Sequence, residues 1–219
     1  MSRAVFIGGF GNGEASARGV ADALQTVGNY EDVDNFSFGQ SRSGDYDKLV
    51  TDIERAAQGV DVFALSASAL GVPRLRAKEA TLIDAPLPTS RMHLIANTVA
   101  KSVKMPFANT EHGRLDHLAR IGSYLGSSTV ELFRRPTKNL RPYFNGEISR
   151  FDAITAATQL KNMGVLTRLI AMSEDRYFQL ASPANLARAS AVGVDVTVVE
   201  GIHDQLALYP EETLTKILR

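Results

Sequence analysis

Short apolar runs alternate with amphipathic stretches along this chain, and no other feature narrows its fold as much. Residues 4–7 are apolar and stop at Gly8-Gly9. Beyond the turn, Val20, Leu24 and Val27 recur at spacings of four and three, the stripe of an amphipathic helix that Gly28 and Asn29 close. Residues 33–38 read as a second strand, Leu49, Ile53 and Ala56 as the next helical stripe, residues 60–65 as a third strand and residues 81–85 as a fourth. The pattern returns near the end: helix over 153–162, strand over 165–172, helix over 186–192, strand over 194–199, and a closing helix over 210–218 with Pro210 near its start. Strands that take turns with helices of this length need crossover connections, and crossovers build a parallel sheet. The expected fold class is α/β.

Between residues 87 and 150 the alternation breaks. That stretch has helix-like pieces at 92–103 and 115–125, several prolines and no strand pattern. It reads as an excursion between two sheet strands, a helical lid inserted into one domain spanning 1–219. A chain of 219 residues is long enough to bury a sizeable core. Its 24 basic and 24 acidic residues cancel, which gives no electrostatic reason to expect nucleic acid or an anionic membrane as a partner. The absence of cysteine excludes disulfides, thiolate catalysis and Cys-ligated metals. The apolar run at residues 4–7 is too short for a signal-peptide core or a membrane span, so the cytoplasm is the expected location.

In an open parallel sheet ligands bind at the carboxyl ends of the strands, so the residues after each strand carry the candidate chemistry. After the first comes Gly8-Gly9-Phe10-Gly11-Asn12-Gly13. Glycines let backbone N–H groups approach an oxyanion or a phosphate. The turn fits an oxyanion loop donating from Phe10, with Gly9 lining the pocket. It also fits part of a dinucleotide fingerprint, with Asp34 further on, although Glu14 stands where that fingerprint needs glycine, or simply a tight connection. After the third strand, Ala64-Leu65-Ser66-Ala67-Ser68 suits a serine on a sharp turn, with small neighbours two residues either side of Ser66; Ser68 has Leu70 in that place. After the strand ending at Met172, Asp175 or Glu174 could orient an imidazole. After the last, Gly201-Ile202-His203 offers a general base. Serine, acid and histidine each follow their own strand, and in that order. His93, His112 and His117 have no zinc-ligand spacing, and no metal or cofactor is expected.

With these segments the sequence resembles the α/β-hydrolase family nearly end to end. Residues 5–12 look like the family's strand and oxyanion loop, and residues 62–68 like its nucleophile strand and elbow, without the two usual glycines. Leu82-Ile83-Asp84-Ala85-Pro86 resembles the strand that follows. Residues 172–175 and 196–203, then Tyr209-Pro210-Glu211-Glu212, are similar to the acid turn, histidine loop and closing helix. The resemblance implies the α/β-hydrolase fold: a reduced, mostly parallel sheet of about six strands, with helices on both faces and a helical lid. It implies a serine hydrolase cleaving an ester, thioester or similar small acyl substrate. Ser66 would be the nucleophile, His203 the base, Asp175 the acid, and the N–H groups of Phe10 and Ala67 the oxyanion hole. Phe107, Phe133 and Phe144 of the lid would line the acyl pocket. A monomer or homodimer is expected. The alternatives are a binding protein on the same fold with Ser66 inactive, and, with weaker support, a dinucleotide-binding oxidoreductase. Pro73, seven residues after Ser66, should delay or kink the helix behind the elbow.

Overall fold

A computed structural model describes residues 2–9, 12–37, 46–90, 92–93, 113–134 and 147–218. Strand β1 (Arg3–Ile7) leads through the glycine turn to helix α1 (Glu14–Gly28), then β2 (Asp32–Phe36), α2 (Tyr46–Ala56) and β3 (Asp61–Leu65). A 3-10 helix (Ser66–Arg74) follows directly, and β4 (Glu79–Ile83) comes next. Helices α3 (Arg114–Arg134), α4 (Glu147–Arg150) and α5 (Ala153–Asn162) precede β5 (Leu166–Met172). The chain then runs through α6 (Pro183–Ala191), β6 (Val196–Val199), α7 (Gln205–Leu208) and α8 (Pro210–Ile217).

The strands form one six-stranded sheet in the order β2-β1-β3-β4-β5-β6, every pairing parallel. The chain winds from β1 outward to β2, then returns past β1 to build the rest in sequence. The reversal leaves a crevice between the carboxyl ends of β1 and β3, the place where such sheets bind ligands. Register keeps the strand ends level: Ile7 pairs with Ala64, Leu65 with Ile83, Ile83 with Ile170, and Met172 with Val199.

Both faces of the sheet are covered, which is why its strands read as continuous apolar runs. Val5, Ile7, Val62, Ala64, Leu82, Leu169 and Ala171 pack with Ala153, Ile154, Ala157 and Leu160 of α5. The alternate residues, Phe6, Phe63, Leu65, Ile83, Ile170 and Met172, pack with Val20 and Leu24 of α1 and Leu214 and Ile217 of α8. Each fully buried aliphatic or aromatic side chain here contributes about 1.5–3 kcal/mol.

Pro73 neither delays nor kinks an α-helix: the chain forms a 3-10 helix at once and ends it one residue later, at Arg74. Pro73 has no N–H to donate, and the backbone is extended again by Leu75, so the helix stops there. The excursion after β4 leaves and returns at one point, because Ala153 N–H donates to Pro86 O at 2.9 Å and Thr89 N–H to Ser149 O at 3.0 Å. Of the helical pieces expected there, 115–125 falls within α3, whereas 92–103 lies outside the described residues from residue 94 on. No helix among the described residues is long and apolar enough to cross a membrane.

Candidate active site

Ser66 is the first residue past β3 and has φ 56°, in the left-handed region. A side chain pays about 1–2 kcal/mol for that conformation, and such strain persists only where the surroundings enforce it. Two contacts enforce it here. A Cβ on Gly9 would come within 2.9 Å of both Leu65 O and Ser66 Cβ, so the β1 turn packs directly against the serine turn and needs glycine there. Ser68 Oγ lies 2.8 Å from both Ile7 O and Leu65 O, which ties β1 to the start of the 3-10 helix. Of the two serines, Ser68 is therefore committed to backbone carbonyls. Ser66 Oγ lies 2.9 Å from His203 Nε2.

His203 sits in the loop between β6 and α7 and is 8% exposed. The ring of Tyr177 lies 4.7 Å from the imidazole and that of Phe178 at 5.5 Å, centroid to centroid, and together they shield it from water. The loop needs Gly201, whose φ is 147° and where a Cβ would come within 2.7 Å of Gln205 Cγ. Glu174 N–H donates to Gly201 O at 2.9 Å and so lashes the acid turn to the histidine loop. Glu174 itself points to solvent, whereas Asp175 is buried.

Asp175 Oδ1 lies 3.1 Å from His203 Nδ1. The contact has hydrogen-bond length but not hydrogen-bond direction, so its attraction is chiefly electrostatic. The same oxygen accepts Tyr177 N–H at 2.8 Å, which fixes the carboxylate. A second carboxylate, absent from the sequence-derived candidates, faces the same nitrogen: Asp84 Oδ2 lies 3.9 Å from His203 Nδ1. Asp84 is fully buried just past β4 with φ 46°, and its Oδ1 accepts Met172 N–H at 2.7 Å. The rule that pointed to Ser66, Asp175 and His203, to inspect the residue after each strand, applied equally to Asp84. Tyr177 and Phe178 were also missed, because nothing in the pattern tells an aromatic over the imidazole from one in the core.

Asp84, Asp175 and His203 each offer a ligand atom within 4.8 Å of the others, so this trio could hold a cation. Ala67, 5% exposed, occupies the first turn of the 3-10 helix, where a backbone N–H has no acceptor within the helix. Phe10, Phe107 and Phe144 lie outside the described residues; Phe133 belongs to α3, but its side chain is outside them too. His117 is buried against Tyr209, its Nδ1 2.6 Å from the phenol oxygen.

No protein-family model matches the sequence, and no curated protein matches it. Solved structures do. A carboxylesterase from the ammonia-oxidizing thaumarchaeon Nitrososphaera gargenis superposes with TM-score 0.65 at 11% identity over 99% of this chain and 88% of its own. The enol-lactonase from Burkholderia xenovorans LB400 gives 0.63 at 15% over 99% and 89%. A hydrolase from Oleispira antarctica gives 0.62 at 10% over 100% and 89%. The chain, with its six parallel strands in this order, superposes on these structures along nearly its whole length: the protein has the α/β-hydrolase fold.

Proposed function

We propose that the protein is a serine hydrolase that cleaves an ester, thioester or similar small acyl substrate through a covalent acyl-enzyme. One observation carries the reading: Ser66 Oγ lies 2.9 Å from His203 Nε2, while the other imidazole nitrogen faces Asp175 at 3.1 Å. A hydroxyl and an imidazole at that separation can exchange a proton as the oxygen attacks a carbonyl carbon. Ser66 Oγ bonds to that carbon, its proton passes to His203 Nε2, and Asp175 stabilises the resulting imidazolium. His203 then protonates the departing alcohol or thiol. Water then attacks the acyl carbon and gives a proton to His203; the bond from Ser66 Oγ to that carbon breaks, His203 returns the proton to Oγ, and the acid leaves.

The developing oxyanion would be held by the N–H groups of Ala67 and Phe10, each such donor being worth about 3–4 kcal/mol. Asp84 adds a second negative group beside the imidazole. Residues 87–150 form the lid in this reading, and Phe107, Phe133 and Phe144 shape the acyl pocket.

Labelling with a fluorophosphonate, which captures an activated serine, tests the reading. Wild type is expected to label, Ser66→Ala not to, and a chelator to leave the rate unchanged. A folded wild type that does not label favours the alternative, a binding protein with an inactive Ser66. Labelling abolished by chelator points instead to a cation held by Asp84, Asp175 and His203.

A further inference from the structure

A histidine on a loop is placed only as well as the loop is anchored. The His203 loop is tied on one side to the acid turn, through the Glu174 N–H to Gly201 O bond. Its other side is held by α3, a helix drawn from the excursion between β4 and α5. Asp204, the residue after His203, is 4% exposed, and its Oδ1 accepts the Tyr124 hydroxyl at 3.1 Å. One turn earlier on α3, Arg120 Nη1 donates to Leu208 O at 3.2 Å, and its guanidinium lies 4.9 Å above the Tyr209 ring. A further turn back, His117 meets the Tyr209 hydroxyl, with the two rings stacked 6.0 Å apart. Ile121 and Tyr124 pack with Leu208 and Tyr209 into a small apolar cluster of their own. One face of α3 thus grips the segment from Asp204 to Tyr209, and the grip nearest the imidazole is a hydrogen bond to a buried carboxylate.

We propose that Tyr124 is a positioning residue for His203, acting through Asp204. This rests on the reading of His203 as the general base. A buried carboxylate gains more from a hydrogen bond than an exposed one, because water does not compete for it. Removing the phenolic donor therefore lets Asp204 seek another partner, and the adjacent peptide carries His203 with it. Small displacements of a catalytic group are costly: an error of about 1 Å can lower a rate by about 10²-fold. The consequence is that α3 must be docked for the Ser66–His203 distance to be held.

Tyr124→Phe is the decisive variant, since it keeps the ring in the Ile121–Leu208–Tyr209 cluster and removes only the hydroxyl. With circular dichroism unchanged, the rate of fluorophosphonate capture is expected to fall about tenfold. With p-nitrophenyl acetate the loss should appear in kcat, with KM little changed. Asp204→Asn retains an acceptor oxygen for the phenol and should recover most of the rate, whereas Asp204→Ala should match Tyr124→Phe. The double variant Tyr124→Phe/Asp204→Ala should lose no more than either alone, the mark of two groups acting as one unit. In parallel, the His203 ring resonances, assigned by their loss in His203→Gln, should shift in Tyr124→Phe while those of His93 stay in place. Wild-type capture rates in Tyr124→Phe, or losses that multiply in the double variant, overturn the proposal and leave the hydrolase reading standing. Should wild type not label at all, the hydrolase reading fails, and the resonances alone decide: a shift upholds the coupling of Tyr124 to His203, and unmoved signals end it.

Discussion

His203 Nδ1 faces two carboxylates, and their contributions differ less than their distances suggest. Asp175 Oδ1 stands at 3.1 Å and Asp84 Oδ2 at 3.9 Å. Coulomb attraction falls with the first power of distance, so Asp84 loses only about a fifth of it. An Asp-to-Asn change at a triad with one acid costs about 10⁴-fold in rate. Here Asp175→Asn is expected to cost less, about 10²–10³-fold in the rate of fluorophosphonate labelling, because Asp84 still favours the imidazolium. Asp84→Asn, which keeps an oxygen for Met172 N–H, should cost about tenfold, and the double variant more than either. A double variant no slower than Asp175→Asn would show that Asp84 serves only the backbone. Gly9, by contrast, matters for what it lacks: any side chain there meets the serine turn.

Helix starts at the edges of the sheet set how the loops approach the site. Helix α5 begins where the excursion returns, and Asp152 caps it by accepting the N–H groups of Ile154 at 3.1 Å and Thr155 at 3.3 Å. Asp152 also pairs with Arg188 of α6. The ion pair is partly exposed and so worth about 0–1 kcal/mol, while loss of the cap costs about 1 kcal/mol. Asp152→Ala should lower the thermal midpoint by about 2–4 °C per kcal/mol lost. Asp152→Ser, a good cap with no charge, should regain most of the difference in the same calorimetric scan. If serine recovers nothing, the ion pair is the larger of the two. The 3-10 helix behind Ser66 carries a different lesson: Pro73 signalled a departure from the usual α-helix, and the chain met it by changing helix type.

For the whole molecule, one ionisation away from the site links pH to folding. Tyr30 packs edge-on against Phe63, with ring centroids 5.7 Å apart, and donates to Asp61 Oδ2 at 3.1 Å. Burial pushes its phenol well above the ordinary value of 10.0; the charge of Asp61 and the hydrogen bond to it act the same way, as does Glu79, while Arg168 opposes them. The folded protein therefore keeps this proton after the unfolded chain has lost it. Above pH 10 or so the unfolded state binds fewer protons, and the stability contributed by Tyr30 is lost as pH rises towards the folded-state value. Denaturant unfolding between about pH 9 and 11 should show a steeper alkaline fall in wild type than in Tyr30→Phe. Equal slopes would mean that the phenol does not stay protonated in the folded state.

Local pattern alone placed the strands, since residues 60–65 and 165–172 announced β3 and β5 to within a residue. It overran β2, where Phe36 ends the strand although Phe38 looked able to extend it. The order of serine, acid and histidine, each behind its own strand, was legible for the same reason: a strand's end is a local event, and a parallel sheet brings all such ends to one edge. What only the tertiary structure decided was which ends are neighbours. Strand order put β1 between β2 and β3, and so set Gly9 against Ser66. It turned Ser68 to the backbone and Ser66 to His203, brought Asp84 to the same imidazole, and seated Tyr124 on Asp204. Periodicity records which face of an element is buried; it carries no record of the partner across the sheet, because that choice is made by packing and hydrogen bonds between residues far apart in the chain.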